Sequence, residues 1–163
     1  MTHQRAFTIV ELLVVIIISA VLASITLLSL RDTSEDYFLR DDLSRLAALL
    51  ERNCRDALLS GQHIGIRVGD SGYDVFRHDG ARWINIKGES VIYRHQDWSG
   101  DWRLDLEFQG LDAVIRGEED TPQLICMGGG ELVPFRLTLS GGIYVSLALA
   151  GQVNGPVSIE SSR

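Results

Sequence analysis

Apolar residues follow two different rhythms along the chain. From Phe7 to Leu30 they run almost without interruption, as FTIVELLVVIIISAVLASITLLSL. These 24 residues carry one charge, Glu11, and nothing ionisable from Leu12 to Leu30. As a helix they would extend about 36 Å, more than the ~30 Å of a hydrocarbon core. The stretch 7–30 therefore predicts a transmembrane or filament-core helix. Ser19, Ser24, Thr26 and Ser29 can return their hydroxyls to the helix backbone. Beyond it, Leu39, Leu43, Leu46, Leu50, Ala57 and Leu58 recur at three-to-four-residue steps, with Asp41, Asp42, Arg45, Glu51, Arg52 and Arg55 between them. That spacing predicts an amphipathic continuation over 31–61, with a loosened turn at 31–36. Gly61 suits a left-handed cap that ends the helix near Ser60.

From His63 onward the period becomes two. Ile64/Ile66/Val68, Tyr73/Val75, Trp83/Ile84/Ile86, Val91/Ile92/Tyr93, Leu104/Leu106/Phe108, Val114/Ile115, Leu124/Ile125, Phe135/Leu137/Leu139, Ile143/Val145/Leu147 and Val157/Ile159 read as short strands. Turn residues separate them, among them Asp70-Ser71-Gly72, Asp79-Gly80, Gly128-Gly129-Gly130 and Asn154-Gly155-Pro156. The expected fold is α+β: a long N-terminal helix packed on a mostly antiparallel β head spanning 62–163.

A chain of 163 residues has room for one domain plus an accessory segment. Its formal net charge of -7 repels phosphates, so no nucleic acid partner is expected. Cys54 and Cys126 form no CxxC and lie near no histidine cluster, so neither a metal site nor a cofactor is expected. Two half-buried free thiols are the ordinary reading of this pair. A disulfide is the alternative, open to a domain in an oxidising compartment.

Gly69-Asp70-Ser71-Gly72 matches the GDSG around a trypsin-like nucleophile, and His63 and His78 are close in sequence. The tetrapeptide sits between two strand patterns at hairpin spacing, so a turn is expected and no catalytic residue is assigned. A membrane-anchored hydrolase would need a convergent nucleophile and base. The acidic stretches 97–102 and 118–120 lack the alternating spacing of a calcium loop and read as solvated. Trp98 and Trp102 fit packing against the sheet better than an exposed contact patch. The charged helix face with Arg45, Glu51, Arg52 and Asp56 is either solvated or a contact for neighbouring subunits.

Glu11 decides among three readings of the N-terminus. A cleaved signal peptide would end near Val21-Leu22-Ala23, but a carboxylate interrupts the apolar run and apolar character continues past Ala23. A plain signal anchor leaves Glu11 without a purpose, although a carboxylate in hydrocarbon costs about 2.5–3.5 kcal/mol at a helix centre. The third reading gives it one. Ala6-Phe7-Thr8-Ile9-Val10-Glu11-Leu12-Leu13, behind the basic leader MTHQRA, resembles the processing motif of type IV pilins and pseudopilins. The resemblance implies a leader of residues 1–6, cleavage by prepilin peptidase between Ala6 and Phe7, and N-methylation of Phe7. It also implies an assembly role for Glu11, whose carboxylate would neutralise the new amine of a neighbouring subunit. Both charges would then leave water as a pair.

Two stretches of the head narrow the family. Cys54-Arg55-Asp56-Ala57-Leu58-Leu59-Ser60-Gly61-Gln62-His63-Ile64-Gly65-Ile66 and Gly130-Glu131-Leu132-Val133-Pro134-Phe135-Arg136-Leu137-Thr138-Leu139 resemble the helix end with its first strand, and a late turn and strand, of H-type minor pseudopilins of type II secretion systems. Membership implies a type IV pilin-like fold with a transmembrane first half. It implies a single pass through the bacterial inner membrane, with N-terminus cytoplasmic and head periplasmic. The expected role is structural, at or near the tip of the pseudopilus that drives export of folded proteins. The expected partners are other minor pseudopilins, the major pseudopilin, prepilin peptidase and inner membrane lipid. The alternative is a minor pilin of a type IV pilus or competence system. The tail 155–163, with one Arg and one Glu, gives no support for DNA binding of that kind.

Overall fold

The computed structural model describes residues 9–108, 111–113, 121–142, 145–153 and 155–161, without the side chains of 25–34 and 111–113. The chain divides into two compact units, Met1–Ser34 and Glu35–Arg163. Helix α1 is assigned over Ile9–Ser60, and residues 31–36 are helical rather than a loosened turn.

In the first unit, the described side chains of α1 run from Ile9 to Ser24, 16 residues with Glu11 in the first turn. Among the described residues no helix is long and apolar enough to cross a membrane. This corrects the expected transmembrane first half of the fold. It also withdraws the single-pass inner-membrane placement, with its cytoplasmic N-terminus and periplasmic head.

The second unit is an α+β head. Its portion of α1 buries Leu39, Leu43, Leu46, Leu50 and Ala57 completely, the stripe that the spacing predicts. The helix ends where Gly61 turns to φ 69° and its N–H reaches Ala57 O at 2.8 Å. Among the described residues ten strands follow: β1 (Ile64–Gly69), β2 (Gly72–His78), β3 (Trp83–Asn85), β4 (Gln96–Asp97), β5 (Arg103–Phe108), β6 (Leu111–Ala113), β7 (Leu124–Cys126), β8 (Phe135–Gly141), β9 (Val145–Gly151) and β10 (Ser158–Ser161). One sheet runs β3-β2-β1-β7, with β4 also on β2. The other runs β10-β9-β8-β5-β6, and every pairing in both is antiparallel.

Strand β8 shows the alternation plainly, with Phe135, Leu137 and Leu139 inward and Arg136, Thr138 and Ser140 less buried. Side chains from α1 and both sheets share one core. Val91–Tyr93, expected as a strand, is a short 3-10 helix capped by Ser90. Capping by Ser90 Oγ competes with strand pairing there, which apolar content alone does not reveal. The expected strand at Val114/Ile115 and the acidic stretch 118–120 lie outside the described residues.

Candidate functional site

The processing motif begins outside the described residues, which exclude Ala6 and Phe7. Glu11 lies in the first turn of α1, where the positive end of the helix dipole favours an acid. Around it, Ile9, Val10, Leu12, Leu13 and the following aliphatic residues to Leu22 are exposed, by 46% or more of their surface. Ser24 Oγ donates to Ala20 O at 2.8 Å, so its hydroxyl is absorbed within the helix. A helix surface this apolar, holding one acid, is built to be covered by other apolar surfaces.

In the head, Asp42 ties the helix to the loop after β4. It is 2% exposed and accepts four hydrogen bonds: from Ser99 N and Ser99 Oγ at 2.8 Å, Trp102 Nε1 at 2.7 Å and Arg45 Nη2 at 2.8 Å. Four donors on two oxygens satisfy a buried carboxylate. Arg45 also pairs with Asp41 at 3.0 Å. Trp98 donates to Gly69 O at 2.8 Å and lies 5.0 Å from the Tyr73 ring, so both tryptophans of the loop pack inward. Burial pushes the Tyr73 phenol up to about 12, with Arg45 opposing and Asp42 adding to the rise. Sequence reasoning missed Asp42. The available signal was its position three residues after Leu39 and beside Leu43, on the apolar stripe itself.

Next to this network, Arg45, Leu49, Arg52, Tyr73, Val91 and Ile92 line an open groove of about 600 Å³. Arg52 pairs with Asp56 at 3.5 Å, and Asp56 also accepts from Tyr93 Oη at 3.0 Å. The charged helix face thus makes contacts within its own head. Burial and the bond to Asp56 both raise the Tyr93 phenol. On β2, burial would raise Asp74, but hydrogen bonds from Arg67 at 2.9 Å and with His95 at 3.0 Å outweigh it and hold the carboxyl below its usual range.

Cys54 of α1 and Cys126 of β7 are joined as a disulfide, with Cα atoms 4.9 Å apart. Free thiols, the ordinary reading of the sequence, are not what the fold contains.

The GDSG stretch is the turn of the β1–β2 hairpin, Gly69 opposite Gly72. A Cβ on Gly72 would lie 2.0 Å from Gln96 O, so glycine stands there to let β4 approach. His63 and His78 sit at the other end of the same hairpin, where His78 N donates to His63 O. The intervening register pairs, at about 3.3 Å per residue, hold Ser71 and the histidines roughly 20 Å apart. Each histidine accepts a backbone N–H at Nδ1, from Gly128 at 2.9 Å and Gly80 at 3.1 Å. No nucleophile–base pair is assembled there. Among the described residues no cluster of His, Cys, Asp or Glu could hold a metal ion.

Residues 1–27 match the family model described as the prokaryotic N-terminal methylation motif. The chain is 33% identical over 151 residues to type II secretion system protein H of Pseudomonas aeruginosa, covering 86% of this chain and 85% of that one. It is 26% identical over 145 residues to the protein H of Escherichia coli, covering 86% and 83%. Two solved structures are similar in fold: the solution structure of Escherichia coli GspH, with TM-score 0.64 and 23% identity over 79% of this chain and 92% of that one, and the minor pseudopilin EpsH of Vibrio cholerae, with TM-score 0.60 and 18% identity over 76% and 96%.

Proposed function

We infer the task of this chain from its family: it belongs to the type II secretion system protein H family. It is a minor pseudopilin of the type II secretion pseudopilus, a structural subunit and not an enzyme. Its methylation motif and its family tie it to prepilin peptidase and to other pseudopilins, and the motif speaks for association with a membrane. The observation that carries this reading is identity through most of the chain to a protein H, rather than the N-terminal motif alone.

The finer steps are our proposal. Residues 1–6 form a leader, cleavage falls between Ala6 and Phe7, and the new Phe7 amine is methylated. Glu11 pairs with that amine on a neighbouring subunit. The exposed apolar surface of residues 9–24 supports this, because subunits that cover it take both charges out of water together. The head, 62–163, stands at or near the pseudopilus tip beside other minor pseudopilins and the major one. There it helps push folded cargo outward mechanically, with no bond-breaking step.

Deleting the gene in its host should abolish export of type II substrates. The wild-type gene should restore export, and a copy carrying Glu11→Leu should not. Export that survives the deletion would contradict the assignment. Full rescue by Glu11→Leu would remove the pairing while leaving the family role standing.

A further inference from the structure

The two cysteines of the Cys54–Cys126 disulfide are unequally exposed. Cys126, in β7, is 0% exposed and belongs to the core. Cys54 is half-buried and lines an open groove of about 400 Å³, together with Glu51, Arg55, Gly130, Gln152 and Pro156. Exchange at a disulfide requires a thiolate to approach one sulfur directly, so access selects the sulfur that is attacked.

We propose that Cys54 is the exchange site of the folded head, serving a disulfide-carrying oxidant that closes the bond through a mixed disulfide at Cys54. In the reduced head the Cys54 thiolate attacks the oxidant's S–S bond. One oxidant thiolate leaves and the mixed disulfide forms. The Cys126 thiolate, held by β7 within bonding reach, then attacks Cys54 Sγ and expels the second oxidant thiolate. Two electrons pass to the oxidant, and the two protons lost by the cysteine thiols balance those its thiolates take up. Reduction runs the same path backwards: an external thiolate attacks Cys54 and must expel the Cys126 thiolate into the apolar core. That charge is costly to bury and is formed in both directions, so it slows closing and opening alike, and the groove selects which sulfur is attacked rather than the direction.

The test uses the oxidised wild-type full chain and reduced glutathione as probe. The reaction is quenched with acid, and peptide mass mapping locates the adduct. The glutathione adduct is expected on Cys54 in about tenfold excess or more over Cys126, since Cys126 reacts only through opening of the fold. In denaturant the preference should vanish. Equal labelling of both cysteines in the native chain would overturn the proposal. So would adducts that form only in denaturant. Reduced Cys126→Ala and Cys54→Ala variants, each checked for native secondary structure, provide the converse with oxidised glutathione. The first should be modified and the second protected; the reverse order would also overturn the proposal.

Discussion

Asp42 and Asn53 are both buried polar residues on the same helix, and they call for opposite predictions. Asp42 has every oxygen satisfied, by Ser99, Trp102 and Arg45. Asp42→Ala would strand the buried Trp102 donor and release Ser99 from the helix, and should cost about 2–4 kcal/mol in chemical denaturation. A loss within a few tenths of a kcal/mol would show that the network does not hold the loop. Asn53 is 0% exposed, and among the described residues neither its Oδ1 nor its Nδ2 has a hydrogen-bond partner. Asn53→Leu, of similar size, should leave the unfolding midpoint unchanged or raise it, because it removes two desolvated groups. A marked fall in the midpoint would mean that the amide is better satisfied than its surroundings indicate. Neither residue was legible from the sequence. Periodicity marks which positions face inward, but it does not reveal that a loop some fifty-seven residues later supplies the donors for Asp42.

Between elements, two ties carry the head's response to conditions. The first joins β1 to β2 through Arg67 and Asp74 and reaches His95 before β4. The carboxyl of Asp74 sits below its usual value in the folded state. Its stabilisation is therefore present above the unfolded value of about 3.9 and is lost as pH falls through the lower folded one. Asp74→Asn should remove that part of the acid-induced loss of stability, seen as a flatter unfolding midpoint below about pH 4. An unchanged acid limb would contradict this. The second tie is the disulfide, which spans a sequence separation of 72. On the chain-entropy account, reduction should lower stability by about 4 kcal/mol, measured by denaturation with and without reductant. A difference below about 1 kcal/mol would contradict it. Most elements were readable in advance. The leucine stripe fixed the inward face of the helix, Gly61 its end, and period-two runs most strands. The short 3-10 helix at Val91–Tyr93 was not readable, because an apolar triplet is too short for its period to separate strand from turn. The cysteine pairing depended on the register that brings β7 under the helix, which spacing in sequence does not encode.

For the whole molecule, the division of labour follows from where apolar surface is covered. The head buries its own, with α1 and both sheets closing on one core. The described first part of α1 leaves its aliphatic side chains exposed and places one acid among them. A hydropathy run of 24 residues invites the reading of a membrane span, yet the described helix is not long and apolar enough for one. The same surface suits the helix-to-helix contacts of a filament subunit, and the family places the chain in such a filament. The N-terminal processing that we propose is the step on which our reading of that role rests. It is tested most directly by mass spectrometry of the chain recovered from host cells with active prepilin peptidase. The account predicts a polypeptide lacking MTHQRA and beginning with N-methylated Phe7; a chain that retains Met1, or one cut after Ala23, would contradict it.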